Sequence, residues 1–313
     1  MTPKILRGRE TASITENDVV IALLWHMGDV LNVTALLSGL SARHAVPLTF
    51  VTSESCVSLL ERNPFLKNIV ALDVELPTRV RPDDFNRVDV LIKGTLPYVR
   101  TLYNLHIPLQ LRAVHGHIVE SWAKAIGIET ALTEPFYVPE TVAAPRPEPD
   151  EYMVLGNGGT SRNKRWGAAD WAAFVELMKN RFPQLRLRQL GSSRDPPIDA
   201  VEDRRGQTSI TESYRLLKQA QGCLTNDSFL GHLSAAAGCP TYVIYGPQPS
   251  RQFHPRGAAR IVTFDGRWPC SPCYRDRCLW SFGLTGCFAQ VSATAVFAMV
   301  AEDLSKAGGL RPR

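Results

Sequence analysis

The feature that most restricts how this chain can fold is an alternation that starts, stops and starts again: apolar strand-like runs, each followed by a turn and a segment with helical spacing. Residues 18–25 read DVVIALLW, the length and apolarity of a strand buried on both faces, as in a parallel sheet. The turn HMGD follows, and Leu31, Ala35, Leu36 and Leu40 then recur at helical spacing across residues 30–43. Residues 48–52 and 68–72 read as strands, Ser53 as the cap of a helix through residue 62, residues 88–92 as another strand and 118–126 as another helix. Residues 139–149 break the pattern with a run rich in Pro and charge and without periodicity, as a linker would. Strand-like runs resume at 152–155, 185–190, 222–225 and 241–245, interleaved with helical patterns at 168–181, 211–220 and 232–237. Two such blocks predict two doubly wound α/β domains, residues 1–145 and 146–313, each a parallel sheet covered by helices. Ligands are then expected at the carboxyl ends of the strands, in a central cleft that the two domains face.

Size and charge agree with that architecture and exclude others. A chain of 313 residues, 44% hydrophobic, can bury two ordinary cores. The net charge of +5, from 35 basic against 30 acidic residues, suits an anionic small ligand or acceptor and is too small to argue for nucleic acid. Residues 1–18 are polar, and no run approaches the roughly 20 apolar residues of a membrane helix, so a cytoplasmic protein is expected. Seven cysteines in a chain of this size, without a signal sequence, read as thiols or metal ligands rather than a disulfide framework.

Four segments carry candidate chemistry. Asp29, between the first strand and its helix, could take a proton from an acceptor hydroxyl as a general base, or could simply complement the helix dipole. The loop GNGGTSRNKRW, residues 156–166, follows a strand and precedes a helix. Gly158 permits close backbone approach, Thr160 and Ser161 can donate to phosphate oxygens, and Arg162, Lys164 and Arg165 bring positive charge, a combination that fits a diphosphate. It has neither the P-loop nor the GxGxxG spacing, and a bland basic turn has the same composition. In TNDSFLGH a strand ends at Asp227 and Ser228 and a helix starts. Its first amides can bind an anion, with His232 one turn further on; equally, Asp227 or Ser228 can cap the helix and His232 can pack in the core. Finally, Cys270, Cys273, Cys278 and Cys287 are separated by two, four and eight residues, close enough for a four-thiolate zinc or iron site, or for a set of reduced thiols. Cys56, Cys223 and Cys239 read as small core residues.

At these residues the sequence resembles glycosyltransferase family nine, the ADP-heptose:lipopolysaccharide heptosyltransferases and their relatives, from residue 19 to about residue 300. Gly28, Asp29 and Val30 match the family's Gly-Asp-Val turn, whose Asp is the proposed catalytic base. Thr160, Ser161, Arg162, Lys164 and Trp166 are similar to its phosphate loop, and Asp227, Ser228, Gly231 and His232 to its Asp-Thr/Ser-Gly-x-x-His signature. The departure is Phe229, where the family usually places Gly and where a side chain could crowd the diphosphate. The resemblance implies a GT-B fold, with an N-terminal acceptor domain and a C-terminal donor domain, and an inverting transfer that needs no metal for its chemistry. Iron or zinc at the cysteines would be structural, as the cysteine-bound iron of related autotransporter heptosyltransferases implies.

The function expected is transfer of a sugar, heptose by resemblance, from an ADP-activated donor to a hydroxyl of a glycan, glycolipid or protein, with Asp29 and Lys164 catalytic. Peripheral contact with the inner membrane is expected for a glycolipid acceptor. A non-hydrolysing sugar-nucleotide epimerase, and a metal-containing binding protein built on the four cysteines, are the alternatives. Arg275, Asp276 and Arg277 are mixed in sign, and no stripe of basic and aromatic residues points to nucleic acid.

Overall fold

The computed structural model describes residues 2–74, 82–106, 116–129, 132–139, 151–275, 278 and 286–306. The chain divides into two compact units, Met1–Glu140 and Thr141–Arg313. The expected linker beyond residue 139, the expected boundary at 145/146 and the tail from residue 307 lie outside the described residues.

The first unit holds strands β1 (Lys4–Leu6), β2 (Val19–Ala22), β3 (Leu48–Ser53), β4 (Leu66–Leu72) and β5 (Thr101–Asn104), with helices α1 (Met27–His44), α2 (Pro82–Thr95) and α3 (Ile118–Ile126). The sheet order is β1-β4-β3-β2-β5, with every pairing parallel. Every residue of β2 and β3 is buried, which explains the unbroken apolar run of β2; β3 buries Thr49, Thr52 and Ser53 as well.

Three expectations are corrected here. Residues 88–92 belong to α2, because Val88, Ile92 and Leu96 recur every four residues and pack on Leu6, Val20, Val51 and Val70, while Val90 stands 71% exposed. Residues 1–18 are not devoid of core: Leu6 and Ile14 are buried, and β1 extends the sheet beyond β4. Ser53 starts only a short 3-10 helix, Glu54–Leu59, and makes no capping bond; its hydroxyl pairs with that of Ser55 at 2.9 Å.

The second unit holds β6 (Tyr152–Gly156), α4 (Ala168–Arg181), β7 (Arg186–Gln189), β8 (Glu202–Asp203), α5 (Ile210–Gln219), β9 (Cys223–Asn226), α6 (Phe229–Ala236), β10 (Thr241–Tyr245), α7 (Ser250–Phe253), β11 (Ile261–Asp265) and α8 (Ala293–Lys306). Its parallel sheet runs β11-β10-β9-β6-β7-β8. Helix α4 turns Trp171, Phe174, Val175 and Met178 onto one face, where they pack with Leu155, Leu224 and Ile244 of the sheet and Val296, Val300 and Leu304 of α8. Each such side chain contributes about 1.5–3 kcal/mol by leaving water. Cys223 and Cys239 are buried in this unit and Cys56 in the first, as small core residues.

Among the described residues no helix is long and apolar enough to cross a membrane.

Candidate donor-binding and catalytic site

Strand β2 in the first unit and β6 in the second each have neighbours on both sides that the chain reaches by running in opposite directions. The second unit's β6 is followed by β7 and β8 on one side and by β9, β10 and β11 on the other. The loops after β6 and β9 therefore flank a topological switch point, where open α/β sheets bind ligands beyond their strand ends. These are the two loops that the sequence singles out.

The loop after β6 is fixed from below. Trp166 and Trp171 meet edge to face with centroids 5.2 Å apart, and the Trp166 indole donates to the Val291 carbonyl at 2.9 Å. Asn226, fully buried at the end of β9, accepts from the Trp166 amide at 3.1 Å and donates to the Gly158 carbonyl at 3.2 Å. It also donates to Asn157 Oδ1, which takes a second bond from the Trp171 indole. Both ends of the loop are thus tied to β9, and the 3-10 turn Arg162–Lys164 aims Lys164 at the partner loop. Gly158 is buried where a Cβ would stand 2.8 Å from Asp195 Oδ2, so a larger residue would have to displace that carboxylate. Asp195 lies in the turn after β7, and its carboxylate accepts from the Ser192 amide at 2.8 Å.

Lys164 Nζ lies 2.7 Å from Asp227 Oδ2. Ser228 occupies the cap position of α6, yet its side chain caps nothing; its hydroxyl pairs with Thr225 at 3.0 Å. The helix start is therefore left to other partners, and its amides and dipole favour an anion. His232 is buried one turn on, and its Nδ1 has no hydrogen-bond partner among the described residues. Burial holds its imidazole down to about 4, with Lys164 and His254 pressing the same way and Asp227 opposing. It is a neutral ring at ordinary pH. The site thus gathers Gly158, Lys164, Asp227, Ser228 and His232, with Ser161 at the start of the 3-10 turn and Thr160 and Arg162 exposed at the rim. Phe229, the departure from the family pattern, is the half-buried first residue of α6.

Asp29 belongs to the first unit, half-buried in the first turn of α1, after β2. Its charge reaches Cys56, whose thiol is pushed up mainly by burial. In this sheet the switch point lies between β2 and β5, so the Asp29 turn takes the same topological place as the loops after β6 and β9 do in theirs.

The four clustered cysteines feel one another. Burial, with Cys273, Cys278 and Cys270 adding to it, pushes the Cys287 thiol up to about 11. Four sulfur donors suit zinc or iron in kind. As placed they do not close round an ion, for no group of three or more His, Cys, Asp or Glu among the described residues is arranged to hold one. The segment is nevertheless fastened beside the loop after β6: Asn163 donates to the Arg275 carbonyl at 2.9 Å, and the Cys273 and Tyr274 amides donate to the Pro247 carbonyl at 3.0 Å.

The sequence reading missed Asn157, Asn226, Asp195 and His254. Asn157 and Asn226 lie inside the two loops quoted, each at or next to a strand end, which is the signal available for them; Asp195 and His254 become visible only through contacts.

Two Rossmann-like units, each with candidate functional residues in a loop at a switch point, are the architecture of the GT-B class. The family model for glycosyltransferase family 9 (heptosyltransferase) matches residues 122–281, and the chain belongs to that family. The chain is 28% identical over 142 residues to lipopolysaccharide heptosyltransferase 1 of Pseudomonas aeruginosa, a match covering 41% of this chain and 38% of that relative's length. Its fold is similar to that of Escherichia coli ADP-heptose lipopolysaccharide heptosyltransferase II, with a TM-score of 0.67 at 14% identity over 93% of this chain and 99% of that one. It is also similar to the dodecameric iron-containing heptosyltransferase TibC of enterotoxigenic E. coli, solved with ADP-D-β-D-heptose, with a TM-score of 0.69 at 16% identity over 94% and 77% of the two chains. These matches favour neither the epimerase nor the binding-module reading.

Proposed function

We propose that the protein is an inverting glycosyltransferase that moves a heptose from an ADP-activated donor to a hydroxyl of a glycan, glycolipid or protein acceptor. The observation that carries this is the second unit's switch-point site, where Lys164, Asp227, the uncapped start of α6 and neutral His232 converge. A diphosphate placed there would meet the Lys164 ammonium and the α6 amides, with Thr160, Ser161 and Arg162 at the rim. Asp227 is better suited to orient Lys164 or a sugar hydroxyl than to meet phosphate.

In this mechanism the Asp29 carboxylate takes the proton of the acceptor hydroxyl as its oxygen bonds to the anomeric carbon. The bond from that carbon to the phosphate oxygen breaks on the opposite face, and ADP departs with the electron pair. Lys164 and the helix start stabilise the charge that collects on the leaving phosphate. The first unit would then serve the acceptor and the second the donor.

Two finer points belong to the same proposal. Iron or zinc at Cys270, Cys273, Cys278 and Cys287 would be structural, drawing together thiols that already feel one another. A cytoplasmic location, with peripheral contact at the inner membrane, follows if the acceptor is a glycolipid; the net charge of +5 favours an anionic surface.

The test is calorimetric titration with ADP, GDP and UDP, repeated on Lys164→Ala. Selective ADP binding that the variant loses supports the proposal; no binding of any diphosphate sinks it.

A further inference from the structure

The carboxyl end of β2 carries a hydrogen bond that the strand ladder does not supply. On the β3 side the ladder continues past the strand with the Leu23 amide donating to the Val51 carbonyl at 3.0 Å. On the β5 side the Leu105 amide donates to the Ala22 carbonyl at 2.9 Å. The next donor on that side is the Leu24 amide, where β5 has already ended at Asn104. A side chain takes over: the Leu24 amide donates to His106 Nε2 at 2.7 Å, and both groups are buried.

The ring that accepts this bond is itself held. Its Nδ1 lies 2.6 Å from Asn104 Oδ1, and Asn104 Nδ2 donates to Asp89 Oδ1 at 3.0 Å, which fixes the amide's orientation. Asp89 in turn pairs with Lys93 at 2.6 Å. Since the Leu24 amide can only donate and Asn104 Oδ1 can only accept, the proton sits on Nδ1 and Nε2 offers its lone pair. The Trp25 ring packs against the imidazole, with centroids 4.6 Å apart. Two residues after Leu24, His26 opens α1, and Asp29 stands in its first turn.

We propose that His106 is a positioning residue for Asp29: a neutral imidazole that anchors the backbone at Leu24 and so sets how the turn between β2 and α1 presents the Asp29 carboxylate. It touches no substrate and acts through the segment 24–29. The claim rests on Asp29 being the base. An imidazolium would set one N–H against another at Leu24, so only the neutral ring can do this. Burial keeps it neutral down to about 4, against the opposing pull of Asp89, the charged group whose field reaches it.

The experiment compares His106→Leu, which removes the acceptor, with His106→Gln, whose side-chain oxygen reaches about where Nε2 sits. In the leucine variant the amides of residues 24–29 should exchange with solvent about tenfold faster, as loss of a buried hydrogen bond implies. Its kcat should fall about 10- to 100-fold with KM for the donor and ADP affinity unchanged, as misplacement of a catalytic group implies. Glutamine should restore most of both. In the wild-type protein, nitrogen NMR should show His106 as the Nδ1–H tautomer at neutral pH. Unchanged exchange, unchanged kcat, failure of glutamine to restore what leucine loses, or a ring protonated on Nε2 would each overturn the proposal. Should the leucine variant not fold, the tautomer and the glutamine variant decide. Should the wild-type protein transfer no sugar, the proposed function fails, while exchange and tautomer still judge the anchoring role of His106.

Discussion

Lys164 and Asp227 form an ion pair of 2.7 Å between two loops of one sheet, with 16% of one side chain and 8% of the other exposed. The pair satisfies two charges that would be costly to bury alone. A diphosphate arriving at the α6 start competes with Asp227 for the same ammonium.

Opposite outcomes are therefore expected from the two halves of the pair. Lys164→Met leaves the Asp227 charge unpaired, and should cost about 3 kcal/mol of stability and abolish measurable ADP binding. Asp227→Asn frees the ammonium, and should tighten ADP about 3- to 10-fold, or about 1 kcal/mol, while transfer falls. Calorimetry on both variants, with thermal melting alongside, reads these outcomes. Weaker ADP binding by Asp227→Asn would mean that the carboxylate serves the nucleotide rather than restraining the lysine.

Two buried histidines give the protein an acid-sensitive fold. Burial holds His106 and His232 each down to about 4, against about 6.5 in the unfolded chain. Between those values the unfolded chain binds protons that the folded one does not, so acid favours unfolding. The stability is fully present above about 6.5 and is lost as pH falls toward 4, at up to about 1.4 kcal/mol per pH unit for each ring. Urea midpoints between about pH 6.5 and 5, above most carboxylate titrations, should fall with pH, and His106→Gln and His232→Gln should each flatten the slope. A flat wild-type profile in that window would show both rings to be charged or solvated.

Much of this was legible because central strands such as β2 and β6 are runs of mostly apolar residues and the loops after the strands keep chemical residues together. Helices α3 and α4 and strand β10 fall where the spacing predicts, and Asp227 and Ser228 sit at the strand-to-helix step read from TNDSFLGH. What failed has physical causes. VDVLI looks like a strand because β-branched residues dominate it, yet its buried positions, Val88 and Ile92, are four apart. Strand β1 is only three residues long, too short to leave a pattern. The anchoring of Leu24 by His106 joins positions 82 residues apart, and no local spacing reports that.

Gly158 and Asp195 offer a test of how tightly the donor loop is seated. An alanine at 158 would bring a Cβ to 2.8 Å from Asp195 Oδ2 and 3.1 Å from its Cγ. Such overpacking should cost about 1–3 kcal/mol and loosen the nucleotide site. The second change Asp195→Ala removes the obstructing carboxylate, so the double variant should melt above Gly158→Ala. Equal melting of the two would place the strain in the loop backbone instead.

Asn226 should prove the most sensitive polar residue of the donor site that never meets the donor. It is fully buried, and it closes three contacts at once, with the Trp166 amide, the Gly158 carbonyl and Asn157 Oδ1. Leucine fills a similar volume but leaves the Trp166 amide and the Gly158 carbonyl unmatched, at about 1–3 kcal/mol each where no water replaces the bond, while Asn157 Oδ1 keeps its bond from the Trp171 indole. Aspartate keeps the acceptor for Trp166 but turns an oxygen toward the Gly158 carbonyl and Asn157 Oδ1, so it should be no better tolerated than leucine. Both variants should weaken ADP binding, because the loop bearing Lys164 loses its tie to β9, while Asp29 and the first unit's exchange protection stay unchanged. Urea denaturation and ADP titration of the two variants check this, and wild-type ADP affinity in Asn226→Leu would show that Trp166 and Trp171 hold the loop without it.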